Sequence, residues 1–397
     1  MHTIRFFTSG ESHGKALIGI IEGVPSGFSL VPEDLDRDLK RRQGGYGRGG
    51  RMTIETDRAE IISGVRWGKT LGSPIAVSIE NKDWNNWLAG MSVLEKDRGA
   101  IPPVTRPRPG HADLAGALKY DTKDIRDILE RSSARETAMR VALGAIAKKV
   151  LADFGIALGS YVTQIGKVSC PAGNPLTDTD LQGLFLAAEK SPVRCPDARA
   201  SRNMVRHIDC AIKEKTSLGG TFTVFATGVP VGLGSHSQWD RKLDGRLAQA
   251  IMSIQAVKGA AIGDGFAMAS LPGSAAMDEI YFSASSKAGR KTFYRKTNHA
   301  GGIEGGMSNG MPILISAVMK PIPTLRKPLL SVDILSKQSF SAAYERSDTC
   351  AVPAAAVVAE AMTALVLADA FLEKFGGDSK KEIKRNVRGY LSYLKSY

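Results

Sequence analysis

Apolar residues recur at helical spacing over 131–155, where Ala138, Val141, Ala142, Ala145, Ile146, Val150 and Leu151 fall on one stripe. Ser133 with Glu136 spells S-x-x-E, a capping-box start, and Phe154-Gly155 marks the stop. The small residues predict an interior helix that another element can approach closely. Residues 3–24 read as strand, turn and strand, broken at Gly10 to Gly14 and apolar again from Ala16 to Ile21. Pro32 to Arg42 reads as a helix, with Glu33, Asp34 and Asp36 early and Lys40, Arg41 and Arg42 late, the order the helix dipole favours. Short β-like runs occupy Met52 to Ile79, and Asp83 to Arg98 is a polar, Trp-containing excursion. Tyr161–Ile165, Thr221–Ala226 and Ile313–Met319 read as strands, and Leu181–Lys190 and Leu243–Ile254 as helices. A second Ala-rich helix follows Arg346-Ser347-Asp348 and runs to Phe375-Gly376. Its opening echoes Arg131-Ser132-Ser133 and suggests an internal duplication. The longest apolar run, Val352 to Leu372, contains Pro353, Glu360 and Asp369, so it reads as a buried helix and not a membrane span. The alternating α/β pattern around two buried helices predicts a sandwich of sheets about helices. We read all 397 residues as one domain, with a basic helical tail over about 378–397.

The net charge of +13 changes the picture, because it asks for an anionic partner. Nucleic acid is disfavoured: the arginines sit in Gly-rich and Pro-rich turns, and aromatic stacking positions are absent. Small polyanions held in a cleft fit better, and the 42 glycines lie in clusters that bring backbone close to something. The four cysteines show no C-x-x-C and no His at zinc spacing, and no signal-peptide core follows Met1, so we expect no metal and a cytoplasmic, reducing setting.

Several turns carry candidate chemistry. The opening of the 131–155 helix crowds Arg131, Ser132, Ser133 and Arg135 at an end that already favours anions. Ser12-His13 invites a hydrolase reading, but adjacent residues point apart and no G-x-S-x-G elbow is present, which leaves His13 as an acid, an anion partner or an ordinary turn histidine. Gly44 to Arg51 lacks a P-loop or G-x-G-x-x-G pattern, yet with Tyr46, Arg48 and Arg51 it could close over an anion. Thr105 to Asp113 mounts Arg108 between prolines and frees His111 with Gly110. Asn298 to Gly310 is the densest glycine segment and reads as backbone pressed on a flat or phosphorylated ligand.

Taken together, GESHG (10–14), RRQGGYGRGGR (41–51), RPRPGHAD (106–113), RSSARETA (131–138), GGIEGGMSNG (301–310) and RSD…AVPAA (346–356) resemble the motifs of the chorismate synthase family, in the same order and over nearly the whole chain. The resemblance implies a β-α-β sandwich, a homotetramer, and conversion of 5-enolpyruvylshikimate 3-phosphate to chorismate by trans-1,4-elimination, the last common step of the shikimate pathway to aromatic amino acids. It implies reduced FMN without net redox change, and NADPH only if the chain reduces its own flavin. It assigns Arg42, Arg48, Arg108, Arg135 and Arg346 to the substrate. It assigns Arg131, Ser132, Ser133, Gln255, Ala256, Gly305, Lys320, Pro321, Ile322, Pro323, Thr324 and Arg346 to the flavin. His111 is expected as the acid toward the leaving phosphate, His13 as the residue that protonates or orients the reduced flavin, and Asp348 as the group that draws the proton from flavin N5. One departure is VKGAAIG over 257–263, where the family usually has an acidic residue in place of Ala260-Ala261. An FMN-dependent oxidoreductase acting on an acidic phosphorylated substrate is the alternative.

Overall fold

Helices from both halves of the chain are packed between two antiparallel sheets. The computed structural model describes residues 3–49, 56–170, 175–283, 292–343 and 347–397. The first sheet holds β1 (Arg5–Ser9), β2 (Ala16–Glu22), β3 (Ala59–Ile61) and β4 (Ile75–Glu80), in the order β1-β2-β4-β3. Its alternation sets one face inward: Leu17, Gly19 and Ile21, with Ile75, Val77 and Ile79, are buried, while Ile18 and Ile20 are exposed. The second sheet is formed by β5 (Ala157–Ile165), β6 (Val168–Ser169), β7 (Gly220–Thr227), β8 (Val257–Ile262) and β9 (Ile313–Met319), in the order β8-β9-β7-β5-β6.

The main helices that frame or fill the sandwich are α1 (Pro32–Gln43), α2 (Asp113–Tyr120), α3 (Arg126–Ser132), α4 (Thr137–Ala152), α5 (Asp178–Glu189), α6 (Ala198–Lys213), α7 (Leu243–Met252), α8 (Val352–Phe375) and α9 (Lys380–Ser396). Helix α4 packs on the first sheet, α8 packs on β5 and β7, and the two helices pack on each other. The contact is close because Gly144 leaves room: a carbon added there would sit 2.4 Å from Ala361 Cβ. Helix α8 is long and apolar enough to cross a membrane, but nearly all of it is buried inside the protein, as its internal Glu360 and Asp369 implied. Asp369 Oδ1 accepts from the Thr3 and Ile4 amides at 2.7 and 2.8 Å and so ties β1 to the end of the chain. The basic tail is a helix docked through Ile383 and Val387.

Two expectations are corrected. The 131–155 segment is not one helix: α3 ends at Ser132, a 3-10 turn spans Ala134–Glu136, and α4 starts at Thr137. The capping box does not form, because Ser133 Oγ accepts from the Arg135 amide while Glu136 turns to Thr8 and Arg140. In the Gly-rich segment three glycines meet their own chain, while Gly305 faces open space. Gly301 lies against Gly263, Gly302 against Pro312, and Gly306 against Ser235 and Lys242, all with positive φ.

Candidate active site

A cavity of about 870 Å³ opens where the β1–β2 turn, the α3–α4 break, the loop after α1, the 105–113 segment and the exit from β9 meet. Its size is near the upper end of the range for small-molecule sites.

The β1–β2 turn brings Ser12 and His13 to one wall. The Ser12 amide donates to Glu130 O at 3.0 Å, and its hydroxyl lies 3.1 Å from Ser133 Oγ. His13 Nδ1 is 2.9 Å from Glu130 Oε1, and the Trp87 ring packs on the imidazole with centroids 4.2 Å apart. Burial alone would raise the Glu130 carboxyl, but His13 and Arg126 outweigh it and hold the group below its usual range. An ionised carboxylate on Nδ1 fixes the tautomer and the plane of the ring.

The 105–113 segment supplies the second histidine. Gly110 has φ 77°, a left-handed turn that returns His111 toward Arg108. Asp113, buried at the start of α2, accepts from Arg108 Nε at 2.8 Å and Nη2 at 3.0 Å, and its Oδ1 is 2.5 Å from His111 Nδ1. Burial would raise this carboxyl too, yet His111 and Arg108 hold it well below the carboxylate range. One buried anion therefore aligns an arginine and a histidine side by side.

Arg42, from the last turn of α1, and Arg135, from the α3–α4 break, lie together. Arg42 Nε donates to Thr137 Oγ1 at 3.0 Å and Nη2 to Ala134 O at 2.9 Å, while Arg135 Nε donates to Asn81 Oδ1 at 2.9 Å. Burial, with Arg48 and Arg135 nearby, lowers Arg42 to about 10 despite the opposing pull of Asp57. Arg48 pairs with Asp348 at 3.0 Å, and Asp348 also accepts from the Gly49 amide at 2.6 Å. Gln255, Ala256, Lys320, Ile322, Pro323 and Thr324 also line the cavity, and the Lys320 amide donates to Ala256 O at 2.9 Å.

The comparisons with known proteins agree with one another. The family model for chorismate synthase matches residues 4–372. The chain belongs to the chorismate synthase family. It is 56% identical over 396 residues to a chorismate synthase of Geobacter metallireducens, covering 99% of this chain and all of that one. It is 54% identical to a chorismate synthase of Symbiobacterium thermophilum, over 98% of this chain and 99% of the relative. A crystal structure of a chorismate synthase superposes with a TM-score of 0.80 at 43% identity, covering 99% of both chains.

Of the residues that the chorismate synthase resemblance singled out, His13, Arg42, Arg48, Arg108, His111, Ser132, Ser133, Arg135, Gln255, Ala256, Lys320, Ile322, Pro323, Thr324 and Asp348 line the cavity. Arg131 does not: it turns back to Thr8 O at 2.7 Å and Gly10 O at 3.1 Å. Gly305 and Pro321 are also outside the lining, and Arg346 lies outside the described residues. Ala260 and Ala261 pair with Ala317 and Ser316 on edge strand β8, away from the cavity, so the departure from the chorismate synthase pattern does not touch it. Sequence reasoning missed Glu130, Asp113, Asp57 and Trp87. Asp113 was within reach, two positions past His111 in the same motif, whereas nothing local distinguishes Asp57.

Proposed function

We propose that the chain is a single-domain, cytoplasmic chorismate synthase, assembled as a homotetramer, that converts 5-enolpyruvylshikimate 3-phosphate to chorismate with loss of phosphate and one ring hydrogen. The observation that carries this reading is the convergence of His13, Arg48, His111, Arg135 and Asp348 on one cavity from five separate stretches of chain. The substrate bears two carboxylates and a phosphate, and arginine holds such groups bidentately while staying charged when buried. Arg42, Arg48, Arg108 and Arg135 grip these anions. His111, aligned by Asp113 beside Arg108, donates a proton toward the departing phosphate. His13, fixed by Glu130 and Trp87, holds or delivers a proton in the same cavity.

The residues present also suit a flavin. Gln255 lines the cavity, and its Oε1 is a buried acceptor with no hydrogen-bond partner among the described residues. Ser132, Ser133, Gln255, Ala256, Lys320, Ile322, Pro323 and Thr324 would hold reduced FMN, with Lys320, whose ammonium also donates to Gly110 O, supplying a cation for its phosphate. When bound, reduced FMN would supply an electron-rich ring beside the substrate for a reaction with no net redox change. Asp348, positioned by Arg48 and the Gly49 amide, accepts the proton released beside that ring.

An anaerobic assay with purified protein, photoreduced FMN and 5-enolpyruvylshikimate 3-phosphate tests the reading. Chorismate absorbance appearing without NADPH, and without accumulation of oxidised flavin, is expected. Stoichiometric flavin oxidation would support the oxidoreductase alternative instead. Chorismate formed from oxidised FMN and NADPH would add a flavin reductase activity.

A further inference from the structure

Behind the cavity wall lies a carboxylate that the functional reading has not used. Asp57 precedes β3, its side chain is fully buried, and it does not line the cavity. It is held against α1 from two directions: its own amide donates to Gln43 Oε1 at 3.2 Å, and the Ala59 amide donates to Asp36 Oδ1 at 2.8 Å. From that fixed position Oδ1 accepts from Arg135 Nη1, and Oδ2 lies 3.5 Å from Arg42 Nη1. One anion thus bridges two guanidinium groups from segments far apart in the chain. Thr137, Ala134 and Asn81, which also accept from the pair, are neutral.

We propose that Asp57 is a positioning residue that acts through Arg42 and Arg135, setting the spacing and orientation of the two guanidinium groups so that together they receive one anionic group of the substrate. This rests on the substrate reading given above. Two buried cations repel and are expensive to desolvate, so without a shared anion they would part or rotate toward water. The carboxylate stands behind the arginines, so it orients them without occupying the cavity. The neighbouring charges support this: Arg42 is surrounded by Arg48 and Arg135 and opposed by Asp57 and Asp348, and burial already lowers it to about 10. Because arginines that hold the substrate's fixed charges act in ground and transition states alike, the loss should fall on KM more than on kcat.

The test uses the full chain with Asp57→Asn and Asp57→Glu, with binding of 5-enolpyruvylshikimate 3-phosphate measured by calorimetry and KM and kcat measured with pre-reduced FMN. For Asp57→Asn, Kd and KM are expected to rise about tenfold or more, the cost of unpairing a charged hydrogen bond. Asp57→Glu, which keeps the charge, should recover most of the affinity. Unchanged or tighter binding by folded Asp57→Asn would overturn the proposal, since Asp57 would then be a bystander or a competing anion. Equal weakness in both variants would also overturn it, as a loss of shape alone. If Asp57→Asn does not fold, Asp57→Glu decides: retained affinity supports the proposal and a tenfold loss overturns it. Failure of the unaltered chain to bind the substrate would instead strike at the substrate reading, which keeps the two failures distinct.

Discussion

Arg41 and Arg42 are neighbours on α1, and they enter two different buried charge clusters. Arg41 joins a closed one. Glu360, fully buried on α8, accepts from Arg41 at 2.7 and 2.8 Å, from Lys148 at 2.7 Å, from Ser160, and from Arg194 at 3.3 Å. Asp38 takes Arg41 and Lys148 at 2.9 and 2.8 Å, and Glu189 takes Arg41 and Arg194. Three cations face three carboxylates, and none of the six lines the cavity described above. Arg42 joins an open cluster, in which guanidinium groups are anchored from behind by Asp57, Asp113 and neutral acceptors while their other edges border about 870 Å³ of space. Residue type and burial do not separate the two. What separates them is that Arg42, Arg48, Arg108 and Arg135 line the cavity, whereas Arg41 and Arg194 do not.

This comparison can be broken at either end. The largest effect is expected in the open cluster: His13→Ala or His111→Ala should slow single turnovers with pre-reduced FMN about a hundred- to ten-thousandfold, the usual worth of a positioned acid. Near wild-type rates in both variants would remove the acid roles. Second, Glu360→Ala should cost about 3–5 kcal/mol in urea unfolding, because it strands buried cations. That loss should appear as stability and not as a slower rate of the folded fraction. Third, Asp113→Asn should lower kcat/KM about ten- to a hundredfold, since Arg108 and His111 lose their shared charged partner.

Acidification sharpens the comparison further. Burial raises the Glu360, Asp113 and Glu130 carboxyls, but their cationic partners outweigh it and leave all three below their usual values. A depressed folded value means the unfolded chain binds protons first on acidification, so this stability is present above the ordinary carboxylate range, about pH 4, and is lost as pH falls below it. The urea midpoint should therefore drop markedly between pH 6 and pH 3. The smallest effect is predicted for Arg131→Ala, whose side chain is 42% exposed and bonds the β1–β2 turn: under about 1 kcal/mol in stability, and flavin affinity changed less than about threefold.

Local rules carried the sequence reading as far as local physics reaches. The apolar run after Gly14 marked β2, charge order marked α1, and the prolines and glycine of 105–113 marked a mount that does hold Arg108 beside His111. The break at Ser133 escaped because S-x-x-E is equally a helix start and, here, a turn whose Glu136 is claimed by Thr8 and Arg140. Asp57 escaped because its partners stand 15 and 78 positions away, and Glu130 because it meets His13 across 117 positions. Periodicity cannot report such pairings.

The clamp between Asp369 and the Thr3 and Ile4 amides spans 366 and 365 positions. During synthesis β1 can pair with β2 early, but the two residues ahead of it wait for Asp369 until nearly all of the polypeptide has emerged, with the apolar α8 segment among the last parts to appear. Closing so long a loop delays the final assembly and leaves sticky surface uncovered meanwhile, which makes nascent chains of this architecture natural clients for chaperones.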